Sequence, residues 1–340
     1  MKIGMPTRIL DKHVGGNTTY ARALEGEFSD RGIEVRRFGV IDNPYANVVA
    51  ETLAGLRTSA GYSLVHYVAD TGPIVRTRVP SVVTVHGVAS NSVKSIRKPV
   101  AERVWRGRVA RALSACDRVI TVSRSSADDI AEVFDFPEDR IRVIPHGLSP
   151  SNSAQGEVSS AVQEICNNYS DFLLYVGNLE PRKNLINLVN AMADRRLNGV
   201  KLVIAGRPAW DYEPILRAID SSDSVEYLGF VSDADRQRLL NRARLFVFPS
   251  LYEGFGFPVL EALAAGTPVI CSDRGSLAEV AGPAVRFEGL DSEAIADGIF
   301  NALQDGQGLS SLQTEGPRWA GRFTWAASAE AHLRVYGEIA

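Results

Sequence analysis

Cysteine is scarce in this chain, and the three present, Cys116, Cys166 and Cys271, are far apart and odd in number. They lack the paired spacing of a zinc site or a disulfide framework, so reduced and inert side chains are expected. Long apolar runs are also missing. None approaches the roughly eighteen residues of a membrane span, and the opening Met1-Lys2-Ile3-Gly4-Met5-Pro6 is too short for a secretory leader. A cytoplasmic protein is expected, with any membrane contact local and peripheral, at the inner face. Charge of neither sign is in surplus. The formal net charge of -3 supplies no field that would draw the chain onto nucleic acid, and no nucleic-acid partner is expected. Absent too is a GxGxxG turn followed about twenty residues later by an acidic ribose ligand, which disfavours an NAD-dependent oxidoreductase.

What is present is length and alternation. With 340 residues, 45% of them hydrophobic, the chain exceeds the size at which one core usually splits in two. Short β-branched runs, Gly- or Pro-marked turns and longer stretches of helical apolar spacing follow one another, the pattern of parallel βαβ units. The spacing predicts strands at Lys2–Met5, Glu34–Phe38, Leu64–Tyr67, Ser81–Val85, Arg118–Thr121 and Ile141–Ile144, with helices such as Thr18–Arg31 and Val93–Ser114. After the aperiodic, Ser- and Asn-rich stretch Ser149–Glu157, a second series runs through Phe172–Val176, Lys201–Ala205, Val225–Leu228, Leu245–Phe248 and Pro268–Cys271. Two α/β domains are therefore expected, over 1–150 and 151–323. A closing helix at 324–340, with Trp325, Ala329, Leu333 and Tyr336 on one side, is expected to pack back on the first domain.

Ligands of open parallel sheets bind beyond the carboxyl ends of strands, so the residues just after these runs carry the interest. The run Phe248-Pro249-Ser250-Leu251-Tyr252-Glu253-Gly254-Phe255-Gly256-Phe257-Pro258-Val259-Leu260-Glu261-Ala262 joins an apolar strand to a helix through a Gly-rich loop. Pro258 suits the first helical position, and Gly266 with Pro268 supplies a stop. Such a helix start favours a phosphate, which Gly254 and Gly256 let close to the backbone. Glu253 and Glu261 would repel that phosphate and are better suited to accepting hydrogen bonds from sugar hydroxyls on either side of it. The alternative is a capped helix with exposed glutamates. A second loop, Gly177-Asn178-Leu179-Glu180-Pro181-Arg182-Lys183-Asn184, carries two adjacent cations after an apolar strand. Adjacent fixed cations there suit an anionic ligand; taken alone they would be solvated surface charges. Gly15-Gly16 after the first strand, and His86 after Val82-Val83-Thr84-Val85, stand at equivalent strand ends. A flexible turn and a neutral structural histidine are their bland readings. Asp233 and Asp235 after Ser232 read as a helix cap rather than a metal-binding triplet.

With these residues in view the chain resembles the retaining glycosyltransferases of family 4, the glycosyl transferases group 1, through EGFGFPVLEALAAGTPVI, GNLEPRKN, Gly15-Gly16 and the segments VSRSS and IPHG. The matches run in order from Gly15 to about Gly282. The resemblance implies a GT-B architecture: α/β, two Rossmann-like domains facing a central cleft, the first binding the acceptor and the second the nucleotide-sugar donor. It implies that Glu261 binds the nucleotide ribose, that Glu253 and His86 hold the donor sugar, and that Arg182, Lys183 and Gly16 meet the diphosphate. Phe255, Gly256 and Phe257 would lie near the sugar and diphosphate, and Arg207 and Phe230 near the base. His86 is followed by Gly87 where the family often has Asp, and His146 replaces the usual Asn.

The implied reaction is a retaining transfer of a hexosyl group, leaning to mannose from GDP-mannose within polysaccharide biosynthesis. The acceptor would be a hydroxyl of a glycan, a lipid-linked sugar or a small molecule, with catalytic roles for His86, Arg182, Lys183 and Glu253. No cofactor or metal is expected beyond the donor itself. An epimerase or phosphorylase on the same scaffold, or a non-catalytic nucleotide-sugar-binding protein, would share much of this pattern. Donor hydrolysis without acceptor, or dependence on free phosphate, would separate the first pair from a transferase. The basic segment Lys94–Arg111 with Trp105 would suit an anionic head group or a phosphorylated glycan, or simply be a solvated amphipathic helix. The sequence is silent on oligomeric state.

Overall fold

A computed structural model describes residues 1–11, 15–39, 44–58, 61–88, 99–149 and 156–340, the side chains of Pro44 and Tyr45 excepted. The expected linker and the basic stretch from Lys94 lie partly outside these residues. The chain forms two units, Met1–Gly147 with Phe323–Ala340, and Leu148–Arg322. The sequence puts these joins at 150/151 and 323/324.

The first unit contains β1 (Lys2–Pro6), α1 (Thr7–Asp11), α2 (Gly16–Asp30), β2 (Glu34–Phe38), α3 (Pro44–Leu56), β3 (Leu64–Tyr67), β4 (Ser81–Val85), α4 (Pro99–Ala115), β5 (Arg118–Thr121), α5 (Arg124–Phe134) and β6 (Ile141–Val143). The second contains α6 (Ser160–Asn168), β7 (Phe172–Val176), α7 (Leu185–Ala191), β8 (Lys201–Ala205), α8 (Glu213–Asp220), β9 (Val225–Gly229), α9 (Asp233–Arg242), β10 (Leu245–Phe248), α10 (Phe257–Ala264), β11 (Val269–Cys271), α11 (Leu277–Val280), β12 (Val285–Arg286), α12 (Ser292–Gln304) and α13 (Gly306–Ala320). The final helix, α14 (Trp325–Gly337), belongs to the first unit. No helix among the described residues is long and apolar enough to cross a membrane.

Both sheets are six-stranded and parallel, in the orders β2-β1-β3-β4-β5-β6 and β12-β11-β10-β7-β8-β9. Helices cover both faces of such sheets, which is why central strands such as β4 (SVVTV) and β10 (LFVF) are apolar or nearly so and wholly buried. Each order reverses once, between β1 and β3 in the first sheet and between β7 and β10 in the second. In open parallel sheets such reversals are the points at which flanking loops diverge and ligands bind.

The closing helix packs differently from its expected apolar stripe. Trp325, Ala329 and Tyr336 are buried as expected, but Leu333 is only half-buried and His332 takes the inward position. His332 is accommodated because every polar atom of its ring is met. Its Nδ1 lies 2.7 Å from the Ser328 carbonyl, which can only accept, so Nδ1 carries the proton and Nε2 accepts from the Tyr20 hydroxyl at 2.7 Å. Tyr20 then accepts from Thr84 at 2.9 Å, Thr84 from His66 Nε2 at 2.7 Å, and His66 Nδ1 from Tyr336 at 2.7 Å. One carbonyl thus orients five side chains from α2, β3, β4 and α14. Burial keeps the imidazoles neutral, holding His66 well below its ordinary pKa and His332 down at about 4.

The chain leaves this unit at Gly147 and returns beside it. A Cβ on Gly147 would stand 2.1 Å from the Trp325 nitrogen, so only glycine lets the outgoing and returning backbones touch.

Candidate functional site

In the second unit, the loops after β7 and β10 flank the reversal of strand order, and they are stitched together. Leu251 N–H donates to the Arg182 carbonyl at 2.8 Å, and the Arg182 guanidinium donates to the Tyr252 carbonyl at 2.6 Å. A single 3-10 turn at Pro181–Lys183 presents Arg182 and Lys183, with Asn184 in the left-handed region at φ 59° closing it.

These loops assemble a quartet of two acids and two bases, with Glu180, Lys183 and Glu253 buried and Arg182 partly so. The Lys183 ammonium donates to Glu253 Oε1 at 2.6 Å, Arg182 lies 3.0 Å from Glu253 Oε2, and Arg182 also pairs with Glu180. Ser250 donates to Glu253 Oε1 at 2.6 Å, Trp210 donates to Glu180 Oε2 at 2.9 Å, and Lys183 stands 5.0 Å from the centre of the Phe248 ring. Burial would favour a neutral Glu253, but Arg182 and Lys183 outweigh it and hold the carboxyl down at about 2. Burial pulls the other way on the bases: it lowers Lys183 despite Glu253, while for Arg182 the two glutamates prevail and raise it. The quartet is charged and self-compensated. Sequence reasoning separates Glu253 from the cations, whereas the structure puts it on them, and it misses Glu180, Ser250 and Trp210. Glu180 lies within the same GNLEPRKN run as Arg182, and that proximity was the available signal.

Next to the quartet, Gly256 caps α10 at φ 95°, and a Cβ there would fall 2.6 Å from Leu277. Pro258 occupies the second helical position rather than the first, and Gly266 at φ 76° follows the helix end. Phe255 is buried, its ring centroid 5.2 Å from that of Phe257. Glu261 is partly buried with its Oε2 3.4 Å from Arg236 Nε; burial raises its pKa against the pull of that arginine. Ser232 and Asp235 form a reciprocal capping box on α9, so Asp235 is engaged with backbone N–H groups.

Beyond β8 and β9 the edge is aromatic and exposed. The Arg207 guanidinium lies 3.9 Å from the centre of the Phe230 ring, and Phe230 is 62% exposed. An exposed cation–π stack offers a planar face to a planar ligand. Gly206 is required below it, since a Cβ would overlap the Gly177 carbonyl oxygen at 1.8 Å.

The other two candidates belong to the first unit, at the carboxyl edge of its sheet. Gly16 is the first residue of α2, capped by Gly15 at φ 141°; residues 12–14 before it are outside the described residues. His86 follows β4 directly. Its backbone N–H donates to Asp70 Oδ1 at 2.9 Å and its Nε2 to the Val68 carbonyl at 3.0 Å, leaving Nδ1 as a buried acceptor with no hydrogen-bond partner among the described residues. Burial lowers its pKa although Asp70 opposes this, so the ring is neutral. His86 packs edge-on to Tyr20 at 5.0 Å and beside His146 at 5.3 Å, so it borders the histidine network. Among the described residues no three His, Cys, Asp or Glu side chains are grouped as metal ligands.

Residues 163–319 match the family profile described as glycosyl transferases group 1, and residues 50–152 match glycosyltransferase family 4. The chain is 30% identical over 314 residues to the MMP alpha-(1->4)-mannosyltransferase of Mycolicibacterium hassiacum, covering 84% of this chain and 72% of that protein. It is 29% identical over 266 residues to the O-antigen chain mannosyltransferase B of Escherichia coli, covering 75% and 70%. In fold it is similar to sucrose-phosphate synthase from Thermosynechococcus elongatus, with a TM-score of 0.78, 20% identity and coverage of 99% and 98%. The HepE protein of Anabaena, solved with UDP and glucose, superposes at a TM-score of 0.74 with 17% identity over the whole of both chains.

Proposed function

The chain belongs to the glycosyl transferases group 1, family 4, with the GT-B fold, and from that membership we propose a retaining, metal-independent transfer of a hexosyl group from a nucleoside-diphosphate sugar to a hydroxyl acceptor. Mannose from GDP-mannose is the donor we favour, because both relatives above are named as mannosyltransferases. The observation that carries the reading is the quartet: two fixed cations and their carboxylates, set at the strand-order reversal where a ligand of a parallel sheet binds.

In this reading the donor diphosphate becomes the counter-ion of Arg182 and Lys183, and Glu253, so released, accepts from the sugar hydroxyls. As the glycosidic bond to the diphosphate breaks, negative charge grows on the leaving oxygen, and cations already in position stabilise it without reorganising. The acceptor hydroxyl arrives on the face the diphosphate leaves, and its proton passes to that oxygen; this gives retention with no protein nucleophile. Glu261 holds the ribose, the Arg207–Phe230 stack receives the base, and Gly256 with its aromatic neighbours lets the diphosphate reach the backbone. In the first unit, Gly16 meets the diphosphate, and the Nδ1 lone pair of neutral His86 accepts from a sugar hydroxyl.

The test is thermal stabilisation of wild type and Glu261→Ala by GDP, UDP, ADP and TDP and their sugar conjugates, with and without EDTA. Stabilisation of the wild type by one nucleotide family, lost in the variant and indifferent to EDTA, is expected. No shift with any of them would sink the donor-site assignment. Turnover of the stabilising conjugate with no acceptor, or only with free phosphate, would favour the epimerase or phosphorylase chemistry, and the anomeric configuration of the product by NMR tests retention.

A further inference from the structure

Some arginines among the described residues each meet two acids: Arg37 faces Asp11 and Glu25, and Arg182 faces Glu180 and Glu253. Two clusters among the described residues of the first unit reverse the ratio: Arg118 and Arg142 both donate to the partly exposed Glu338, and a second pair of arginines meets an acid that is buried. Glu51 on α3 has a side chain only 2% exposed, and two guanidiniums converge on it. Arg8 donates from Nε to Glu51 Oε1 at 2.7 Å and from its second amino group to Thr71 at 3.0 Å. Arg108 on α4 comes no closer than 3.6 Å to Glu51 Oε2, too long for a hydrogen bond. Among the described residues the buried Nε of Arg108 and the buried Oε2 of Glu51 have no hydrogen-bond partner.

The position is as informative as the charge. Arg8 follows β1 and Thr71 follows β3, so the cluster straddles the reversal of strand order in the first sheet, the counterpart of the quartet's place in the second. Both arginine side chains keep an edge in solvent, at 26% and 32% exposure. We propose that Arg8 and Arg108 form a subsite for a phosphate or carboxylate carried by the acceptor, with Glu51 as the positioning residue that fixes Arg8. This rests on the glycosyltransferase reading and narrows its acceptor to an anionic one.

Charge balance decides between an anion and a structural ion pair. Arg8 gives the buried Glu51 carboxylate a bonded cation, although burial still raises the Glu51 pKa against the pull of both arginines. Arg108 adds a second positive charge that the carboxylate does not bond, and burial and Arg8 both disfavour that charge, lowering its pKa against Glu51. An anionic oxygen would satisfy the idle Nε donor and relieve the repulsion together; a water molecule would do only the first. Planar guanidiniums on an oxyanion are the favoured geometry for such recognition.

The experiment uses the full chain saturated with the nucleoside diphosphate that stabilises it, so that added phosphate cannot occupy the donor site. Mannose, mannose 6-phosphate, inorganic phosphate, and phosphatidylcholine vesicles with and without phosphatidic acid are titrated against wild type, Arg108→Gln and Arg108→Lys. The expected result is that at least one phosphate-bearing probe binds wild type about tenfold or more tightly than its neutral counterpart, that Arg108→Gln removes the difference, and that Arg108→Lys restores part of it. Preference for mannose 6-phosphate or inorganic phosphate marks a soluble acceptor; preference for the phosphatidic acid vesicles marks a lipid head group. Equal binding of charged and neutral probes, no binding of any, or a preference that survives Arg108→Gln overturns the subsite. Failure of the nucleotide itself to bind wild type would bring down the glycosyltransferase reading and this inference with it, whereas failure of the anions alone leaves that reading intact. Arg108→Gln is chosen because Arg108 makes no hydrogen bond to Glu51, and its melting curve reports whether the fold survives.

Discussion

The two units each bury a polar constellation, and they solve the problem in opposite ways. In the second, Glu253, Glu180, Arg182 and Lys183 remain ionised and cancel one another. In the first, Tyr20, His66, Thr84, His332 and Tyr336 stay neutral and form a one-directional chain of hydrogen bonds ending on the Ser328 carbonyl. The difference separates a set of exchangeable ion pairs from a fastener. Ion pairs can exchange one counter-ion for another at modest net cost, so the quartet can admit an anion. A neutral chain has no charge to trade, and any proton entering it leaves two donors facing each other. Its use is to fix α14 against α2, β3 and β4.

The sharpest way to break this comparison is Glu253→Gln. It leaves buried Lys183 and partly buried Arg182 with one acid, and equilibrium urea unfolding is expected to show a loss of about 3–5 kcal/mol. A loss under about 1 kcal/mol would mean the quartet is not held by its charges. Acid titration then sharpens the contrast, because the two constellations should fail in different pH windows. His332 has a folded pKa lowered to about 4 from 6.5, so the unfolded chain binds more protons between those values. Its contribution, about 3 kcal/mol, is present above pH 6.5 and disappears as pH falls towards 4. Glu253, lowered to about 2 from 4.5, contributes above pH 4.5 and loses that contribution as pH falls towards 2. Fluorescence of Trp325 in the first unit and Trp210 in the second, each isolated by replacing the other tryptophans with phenylalanine, should therefore report separate acid transitions, Trp325 first. Coincident midpoints would contradict the assignment. The smallest effect expected is from Tyr20→Phe, which strands Thr84 and His332 Nε2 and should cost about 2 kcal/mol by urea unfolding without altering nucleotide binding.

The readability of the two constellations from sequence was unequal, for a physical reason. The strands and the loops after β7 and β10 are written locally: apolar runs, then Gly, Pro and adjacent charges, all within short segments. What those segments do not state is which opposite charges meet, because Glu253 and Lys183 are joined by strand order rather than by proximity along the chain. The histidine network is harder still. His66 sits in the strand LVHY and His332 next to the expected apolar stripe, so periodicity marks the first as core, passes over the second and gives no hint that they serve each other. Leu333 satisfied the apolar pattern better than His332, but the network selected the histidine. Arg108 lies within the basic segment Lys94–Arg111 that the sequence marks, but its meeting with Arg8 and Glu51 is made only by topology and is not written locally.

The contact between Gly147 and Trp325 has a mechanical consequence. The second unit is an insertion whose two stalks emerge from neighbouring points of the first, while Met1 and Ala340 both belong to the first. Tension applied at those two residues would run through the first unit alone, along β1 and α14 and across the histidine fasteners, and would leave the inserted unit unloaded until the first had torn open. The unit that carries the quartet is thereby sheltered from force by the unit that carries the network.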